Sequence, residues 1–310
     1  MAQPACSDAE FIRLFESMGA TATAKHLGTA ERSVYSRRRN IEKNGTPDIA
    51  APSSRRRNIA GRLHAEVENG VIAIGSDAHY WPGEPSTAHR AFVKFVKEYQ
   101  PQIVVMNGDV LDGSSISRHP PIGWEKRPSL IQEIEACKDR LGEITVAAGK
   151  ARRYWPLGNH DARFETRLAT VAPEYARVQG VSLSDHFADW EPCWSLFVND
   201  DVVIKHRHKG GIHATHNSTL WAGKTTVTGH LHSLKVTPFT DYNGDRWGVD
   251  TGTLADIYGP QFQDYLEDSP RNWRAGFAVL TFFNGALLQP ETVRVVDPDH
   301  VDFRGKLHAV

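Results

Sequence analysis

The sequence predicts an α/β protein preceded by a small all-α segment. Two observations predict this. From about Gly70 onward, short apolar runs that read as strands alternate with helical stretches, and five of the runs lead directly into loops rich in Asp, Asn and His. Residues 7–43 instead carry the capping and breaker residues of short helices.

The helical segment comes first. Ser7 followed by Glu10 reads as a capping box that opens a helix through about Met18, and Gly19 breaks it. Thr21 to Leu27 forms a second piece, ended by Gly28. Thr29 then caps a third helix from Ala30 to about Lys43. Phe11, Leu14, Phe15, Ala24, Leu27, Val34 and Ile41 are its expected shared core. Asn-Gly, Thr-Pro, Ala-Pro-Ser-Ser and the run Arg55-Arg56-Arg57 follow, which is linker chemistry. The expected organisation is a helical unit over 1–45, a basic flexible linker over 46–66 and the α/β domain over 67–310.

In that domain Val71–Ile74, Ile103–Met106, Thr145–Ala148, Arg153–Pro156, Val202–Lys205 and Thr225–Val227 read as strands. Phe277–Phe283 and Ala286–Leu288 read as a hairpin closed by Asn284-Gly285.

Composition bounds the function. Of 310 residues, 40% are apolar and 24% charged, ordinary for a soluble globular chain. The net charge of -1 does not by itself announce a nucleic-acid partner. The balance is uneven, however. Residues 1–62 hold eleven Lys/Arg against six Asp/Glu, a net +5, which leaves -6 for the remainder. Three scattered cysteines, Cys6, Cys137 and Cys193, imply neither a disulfide framework nor a thiolate zinc site. The N-terminus has no signal-peptide pattern, and no apolar run approaches membrane-spanning length. A cytoplasmic protein with no membrane partner is expected.

The chemistry lies in the loops after the strands, where α/β sheets place their ligand sites. These are Gly-Ser-Asp77-Ala-His79, Asn107-Gly-Asp109-Val-Leu-Asp112, Gly158-Asn159-His160-Asp161, His206-Arg-His208 and Gly229-His230-Leu-His232. Carboxylate and imidazole donors suit a pair of divalent ions such as Mn, Fe, Zn, Co or Ni, manganese first. A carboxylate such as Asp109 can bridge two ions about 3.5–4 Å apart. The glycine ahead of the Asp77, Asp109, Asn159 and His230 groups permits close backbone approach.

The order D-x-H, G-D-x-x-D, G-N-H-D, H, G-H-x-H resembles the calcineurin-like metallophosphoesterase superfamily over roughly residues 70–297. The resemblance implies a sandwich of two mixed β-sheets flanked by helices. It implies hydrolysis of phosphate esters by a metal-bridging hydroxide. Asp77, His79 and His232 would hold one metal, and Asn159, His206 and His230 the other, with Asp109 shared. His160 would contact the phosphate and act as acid toward the leaving group, oriented by Asp112. The fourth block is the loose one: position favours His206, but His208 is an alternative ligand, and His213 and His216 in the following loop could contact phosphate. Trp247, Tyr258, Phe262, Tyr265 and Trp273 could wall the substrate cleft or pack the core, and Gly248–Thr253 could support the site.

The ester class follows from two further features. Protein Ser/Thr phosphatases of this superfamily continue as G-D-x-V-D-R-G and R-G-N-H-E; here Asp112-Gly-Ser-Ser and Leu157-Gly-Asn-His-Asp161 lack those arginines. Ala24-x-x-Leu27-Gly28-Thr29 with Val34-Tyr35 resembles a helix-turn-helix of the phage and prophage type. Its third helix would present Glu31, Arg32, Ser33, Ser36 and Arg37 to a major groove, with Arg38, Arg39 and Arg55–Arg57 meeting phosphates. The favoured expectation is a two-metal, nuclease-like phosphodiesterase tethered to DNA in a bacterial host cell. A small-molecule phosphodiesterase with a regulatory arm and a catalytically silent DNA-binding regulator are the other readings.

Overall fold

The computed structural model describes residues 6–44, 60–120, 122, 124–176, 178–266 and 269–310. Contacts divide the chain into two units, residues 1–59 and 60–310.

In the first unit, α1 (Asp8–His26) starts where the Ser7 hydroxyl accepts the Glu10 N–H at 3.2 Å. Gly19 interrupts it with φ 78°, as a glycine in the left-handed region can at little cost. Helix α2 (Glu31–Lys43) follows, with Ala30 rather than Thr29 at its N-cap. Phe11, Phe15, Ala20, Ala24, Val34 and Ile41 form the buried cluster between them.

The second unit begins with β1 (Arg62–Ala65), β2 (Gly70–Gly75), α3 (Thr87–Tyr99), β3 (Ile103–Met106), α4 (Leu130–Ala148) and β4 (Arg152–Pro156). Then come α5 (Arg163–Val171), β5 (Glu191–Cys193), β6 (Ser195–Val198), β7 (Val202–Ile204), α6 (Ala214–Ala222) and β8 (Thr225–Thr228). The chain closes with β9 (Lys235–Asp241), β10 (Gly244–Asp250), α7 (Pro260–Leu266), β11 (Gly276–Phe283), β12 (Ala286–Leu287), β13 (Glu291–Asp297), β14 (His300–Phe303) and β15 (Lys306–Ala309).

The strands make two mixed sheets. One runs β1-β6-β7-β8-β10-β9, and the other β15-β14-β13-β11-β2-β3-β4-β5, with β12 hairpinned onto β11. Strands β2, β3, β4 and β5 are mutually parallel, as are β7, β8 and β10. Period-two alternation sorts the layers. Ile72 and Ile74 face the other sheet and pack with its Leu196, Ile204 and Val227 and with Leu280 of neighbouring β11, while Ala73 and Val104 face the helices with Phe92 of α3 and Ile144 of α4. Asn284 (φ 49°) and Gly285 (φ 77°) close the anticipated hairpin with two positive-φ residues, as a two-residue turn requires.

Two expectations change. Thr145–Ala148 is the last turn of α4 rather than a strand. Its Ile144, Ala147 and Ala148 continue the helical spacing of the buried Ile134, Cys137 and Leu141. Residues 62–65, expected in the linker, form β1, paired in parallel with β6. The rest of that linker through residue 59, with Arg55–Arg57, lies outside the described residues. Among the described residues no helix is long and apolar enough to cross a membrane.

Candidate metal centre

Parallel strands point their carboxyl ends the same way, so the loops after β2, β3 and β4 sit side by side, and those after β7 and β8 face them from the other sheet. Two groups of donors with no shared member converge there, Asp77, His79 and His232 in one and Asp109, His206 and His230 in the other, and a third group, His79, Asp112 and His160, overlaps the first. Within each group the candidate ligand atoms all lie within 4.8 Å of one another. Asp77, His79, Asp109, His206 and His232 are buried, whereas His230 stays open to solvent.

The backbone holds these side chains at a cost. Asp77 (φ 51°), His79 (φ 40°), Asp109 (φ 51°), His230 (φ 72°) and His232 (φ 56°) all lie in the left-handed region, a strain on the order of 1–3 kcal/mol each. Neighbouring loops fix them: Asp77 N–H donates to the Gly108 carbonyl at 2.8 Å, and His79 N–H to the Asp109 carbonyl at 2.9 Å. A Cβ at Gly158 would collide with the Asp109 carboxylate, and one at Gly229 with that of Asp77.

Hydrogen bonds also decide which ring nitrogen is available. The His79 Nδ1 is 2.8 Å from Asp112 Oδ1, and His206 Nδ1 is 2.8 Å from the Asn107 carbonyl. Such partners keep the proton on Nδ1 and leave Nε2 as the donor to a metal. Accordingly His79 Nε2, His206 Nε2, His232 Nδ1 and the Asn159 Oδ1 are buried polar atoms that make no hydrogen bond, with His206 Nε2 facing Asp109 Oδ2 at 3.1 Å. Four orphaned ligand atoms beside buried carboxylates are what a pair of divalent cations would satisfy.

Electrostatics agree. Burial alone raises a carboxyl's pKa, yet the neighbouring histidines hold Asp77 below its ordinary value and Asp109 well below it. Burial lowers that of His206, but Asp109 and Asp77 outweigh it and push the imidazole up to about 10. The pocket thus demands positive charge, and a cation placed there would take over from the proton.

His160 lies beside this cluster. Its N–H donates to Asp109 Oδ1 at 2.8 Å; its Nδ1 is 2.9 Å from the Asp112 carbonyl and 3.1 Å from Asp112 Oδ1. Asp112 therefore braces His160 and His79 together, more than the single partner expected for it. Burial lowers the His160 pKa, but Asp109 and Asp112 raise it more, for a net rise.

Of the alternative histidines, His208, His213 and His216 are exposed and join none of these groups. His206, the second residue beyond β7, is 1% exposed and stands in the group with Asp109 and His230, while His208 is exposed. Among the aromatics, Phe262 and Trp273 pack on His232 with ring centroids 5.8 and 4.5 Å away, Trp247 packs on the inter-sheet core, and Tyr258 is exposed. The side chain of Tyr265 lies outside the described residues. The segment 248–253, the end of β10 and the turn after it, supports Asp77: Thr253 Oγ1 donates to its carbonyl at 2.6 Å, and Thr251 Oγ1 is 2.5 Å from Ser76 Oγ, which donates to its carboxylate.

Three residues without an expected role also organise the site. Asp161 is fully buried and accepts N–H groups from Asp109, Val110, Leu111, Gly158 and the Trp155 indole, at 2.8–3.1 Å. Burial and the charge of Asp109 push its carboxyl up to about 6 against those donors. Glu133 accepts the Gly113 and Ser114 N–H groups at 2.6 and 3.1 Å, holding the turn after Asp112. Arg163 donates to the Asp112 carbonyl at 2.9 Å and reaches 3.0 Å from His160 Nε2. Asp161 stands in the G-N-H-D motif, and Arg163 is one helical turn beyond His160; Glu133 has no local signal at all.

On α2, Arg32, Ser33 and Ser36 are exposed as a groove-reading face requires. Arg37 is not available in that way. Its guanidinium is 2.8 Å from Asp8 Oδ1, donates to the Cys6 carbonyl at 2.7 Å and lies 4.7 Å from the Phe11 ring centroid. Arg38 pairs with Glu42 at 2.7 Å. Both are drawn inward because they flank the buried stripe of Val34 and Ile41.

The family model for calcineurin-like phosphoesterases matches residues 70–270. The Gene 54 protein of Mycobacterium phage L5 is 28% identical over 256 residues, spanning 73% of this chain and 93% of the relative. The Gene 54 protein of Mycobacterium phage D29 is 29% identical over the same spans. Among solved structures, a dimetal phosphatase from Danio rerio matches 72% of this chain and 94% of its own with 10% identity and a TM-score of 0.33. The chain belongs to the calcineurin-like phosphoesterase family and is a metal-dependent phosphoesterase.

Proposed function

We propose that the chain is a two-metal phosphodiesterase acting on DNA, with manganese as the first metal to test, working in the cytoplasm of a phage's bacterial host. The observation that carries the reading is the pair of donor groups with four orphaned ligand atoms. Asp77, His79 and His232 would hold one ion, Asn159, His206 and His230 the other, and Asp109 would serve both. When bound, the ions supply Lewis-acid charge that offsets the phosphate oxygens and makes water nucleophilic at neutral pH.

The chain's own groups do the rest. Asp112 keeps His160 Nδ1 engaged, so the imidazole handles protons at Nε2. Arg163 donates to Nε2 while the ring is neutral. A phosphate oxygen that draws Arg163 aside frees Nε2 to take up a proton from water, and the imidazolium so formed, favoured by Asp109 and Asp112, passes that proton to the departing oxygen and returns to the neutral ring. Exposed Arg32, Ser33 and Ser36 on α2, and the net +5 of residues 1–62, support DNA as the polymer.

A second reading, a small phosphodiester, is favoured by one observation. A cavity of about 790 Å³ opens beside His79, lined by Trp81, Tyr258 and Trp273, and would accept an aromatic substituent.

With Mn²⁺ present, linear DNA and bis-p-nitrophenyl phosphate should be cleaved faster than p-nitrophenyl phosphate. Deleting residues 1–59, which spares β1, should weaken DNA cleavage only. Turnover confined to the monoester would overturn the diesterase reading, and DNA cleavage unchanged by the deletion would remove the tether.

A further inference from the structure

The run from Val202 to Thr240 is 39 residues long and contains no Asp or Glu. It holds five Lys/Arg and six of the chain's fifteen histidines. It also supplies three of the candidate metal ligands, His206, His230 and His232. One lip of the metal centre is therefore built from a segment with no acidic side chain of its own, in a chain of net charge -1.

Between the first ligand and the next two, this segment turns outward. Arg207 directly follows His206 and is exposed. The loop from Lys209 is pinned at both ends: Lys209 N–H donates to Ser218 Oγ at 3.3 Å, and Lys235 Nζ to the Ile212 carbonyl at 3.2 Å. Among the described residues, neither Arg207 nor Lys209 has a carboxylate partner. Beside these cations lie large apolar groups open to solvent, Ile212 at 82%, Leu220 at 51% and Trp221 at 71% exposure. The Lys209 ammonium sits 3.8 Å from the centroid of the Trp221 ring.

We propose that this lip is a binding surface for a single-stranded stretch of nucleic acid, continuous with the metal centre. The assignment rests on the nucleic-acid reading above and deepens it, because it puts strand contacts on the phosphoesterase unit itself. Cations without acidic neighbours attract a phosphate backbone, and an exposed indole offers a face on which an unpaired base stacks. A duplex keeps its bases inside and would leave the indole unused. Arg37 and Arg38 of α2 are already engaged with acidic partners, whereas Arg207 and Lys209 are not.

The test is binding of fluorescein-labelled oligothymidylate to the full chain in EDTA, by anisotropy, between about 50 and 200 mM salt. The double substitution R207Q/K209Q should reduce the slope of log affinity against log salt by about 1.4, the value for two phosphate contacts on a single strand. Trp221→Ala should weaken binding about fivefold or more while leaving the slope alone. Retained turnover of bis-p-nitrophenyl phosphate by these variants shows that the fold and the metal centre are intact. An unchanged slope in a chain that binds the strand overturns the lip assignment and leaves the nucleic-acid reading standing. A chain that hydrolyses the small diester but neither binds nor cleaves DNA overturns both. Preference for duplex, or displacement by polyglutamate as effective as by unlabelled strand, overturns the assignment to single-stranded nucleic acid.

Discussion

The Asp161 carboxylate is the most heavily used acceptor around the site, and replacing it by Asn is a severe test of the architecture. Oδ2 takes the N–H groups of Asp109, Gly158 and Trp155, and Oδ1 those of Val110 and Leu111. An asparagine offers one oxygen and one NH₂. In its better orientation the oxygen keeps the three donors and the NH₂ confronts the other two. Two buried bonds to a charged acceptor are then lost, at about 1.5–3 kcal/mol each, or about 3–6 kcal/mol in all. At about 2–4 °C per kcal/mol for a domain near this size, that lowers Tm by about 6–24 °C. The lost partners belong to the turn that carries Asp109, so turnover should fall with stability. Thermal melts followed by circular dichroism, with and without Mn²⁺, and kcat on bis-p-nitrophenyl phosphate measure both. A Tm within about 3 °C of wild type with unchanged kcat would refute the reasoning.

Three other outcomes are expected. His160→Ala should retain bound metal yet lose about 10²–10⁴-fold in rate on esters with poor leaving groups; equal losses on good and poor leaving groups would argue against an acid. Asp109→Ala should abolish paired metal binding, and two equivalents retained by metal analysis would remove its shared role. His89 is buried between Tyr80 OH (2.9 Å) and Glu143 (2.8 Å), and burial lowers its pKa below the ordinary 6.5. The unfolded chain therefore takes up the proton first, so His89 loses stability as pH falls from about 6.5 toward its folded value. The stability advantage of wild type over His89→Gln should shrink across that window in denaturant titrations; a difference constant with pH would contradict it.

Much of this protein is legible in its sequence because its signals are local. Apolar runs followed at once by Asp, Asn and His mark β2, β3, β4, β7 and β8, and the turn chemistry of Gly158 and Gly229 survives in the fold as close approach to Asp109 and Asp77. Asn284-Gly285 likewise dictates its hairpin through φ alone. Thr145–Ala148 misled because a four-residue apolar run has no period of its own; the helix it ends is recognisable only from the spacing of Ile134, Cys137 and Leu141 before it. Strand β1 escaped because its stability comes from pairing with β6, more than a hundred residues away.

What the tertiary structure decided is which polar groups face one another. That His206 is buried beside Asp109 while His208 is exposed is one such outcome. That Asp112 serves His79 as well as His160, that Glu133 and Asp161 hold the ligand turns, and that Arg37 is tied to Asp8 are all contacts between distant segments. Residue type and spacing along one chain carry the identity of the candidate ligands, because ligand chemistry is a property of side chains. The partners of those ligands are set by how sheets and helices pack, and no single stretch of sequence encodes that.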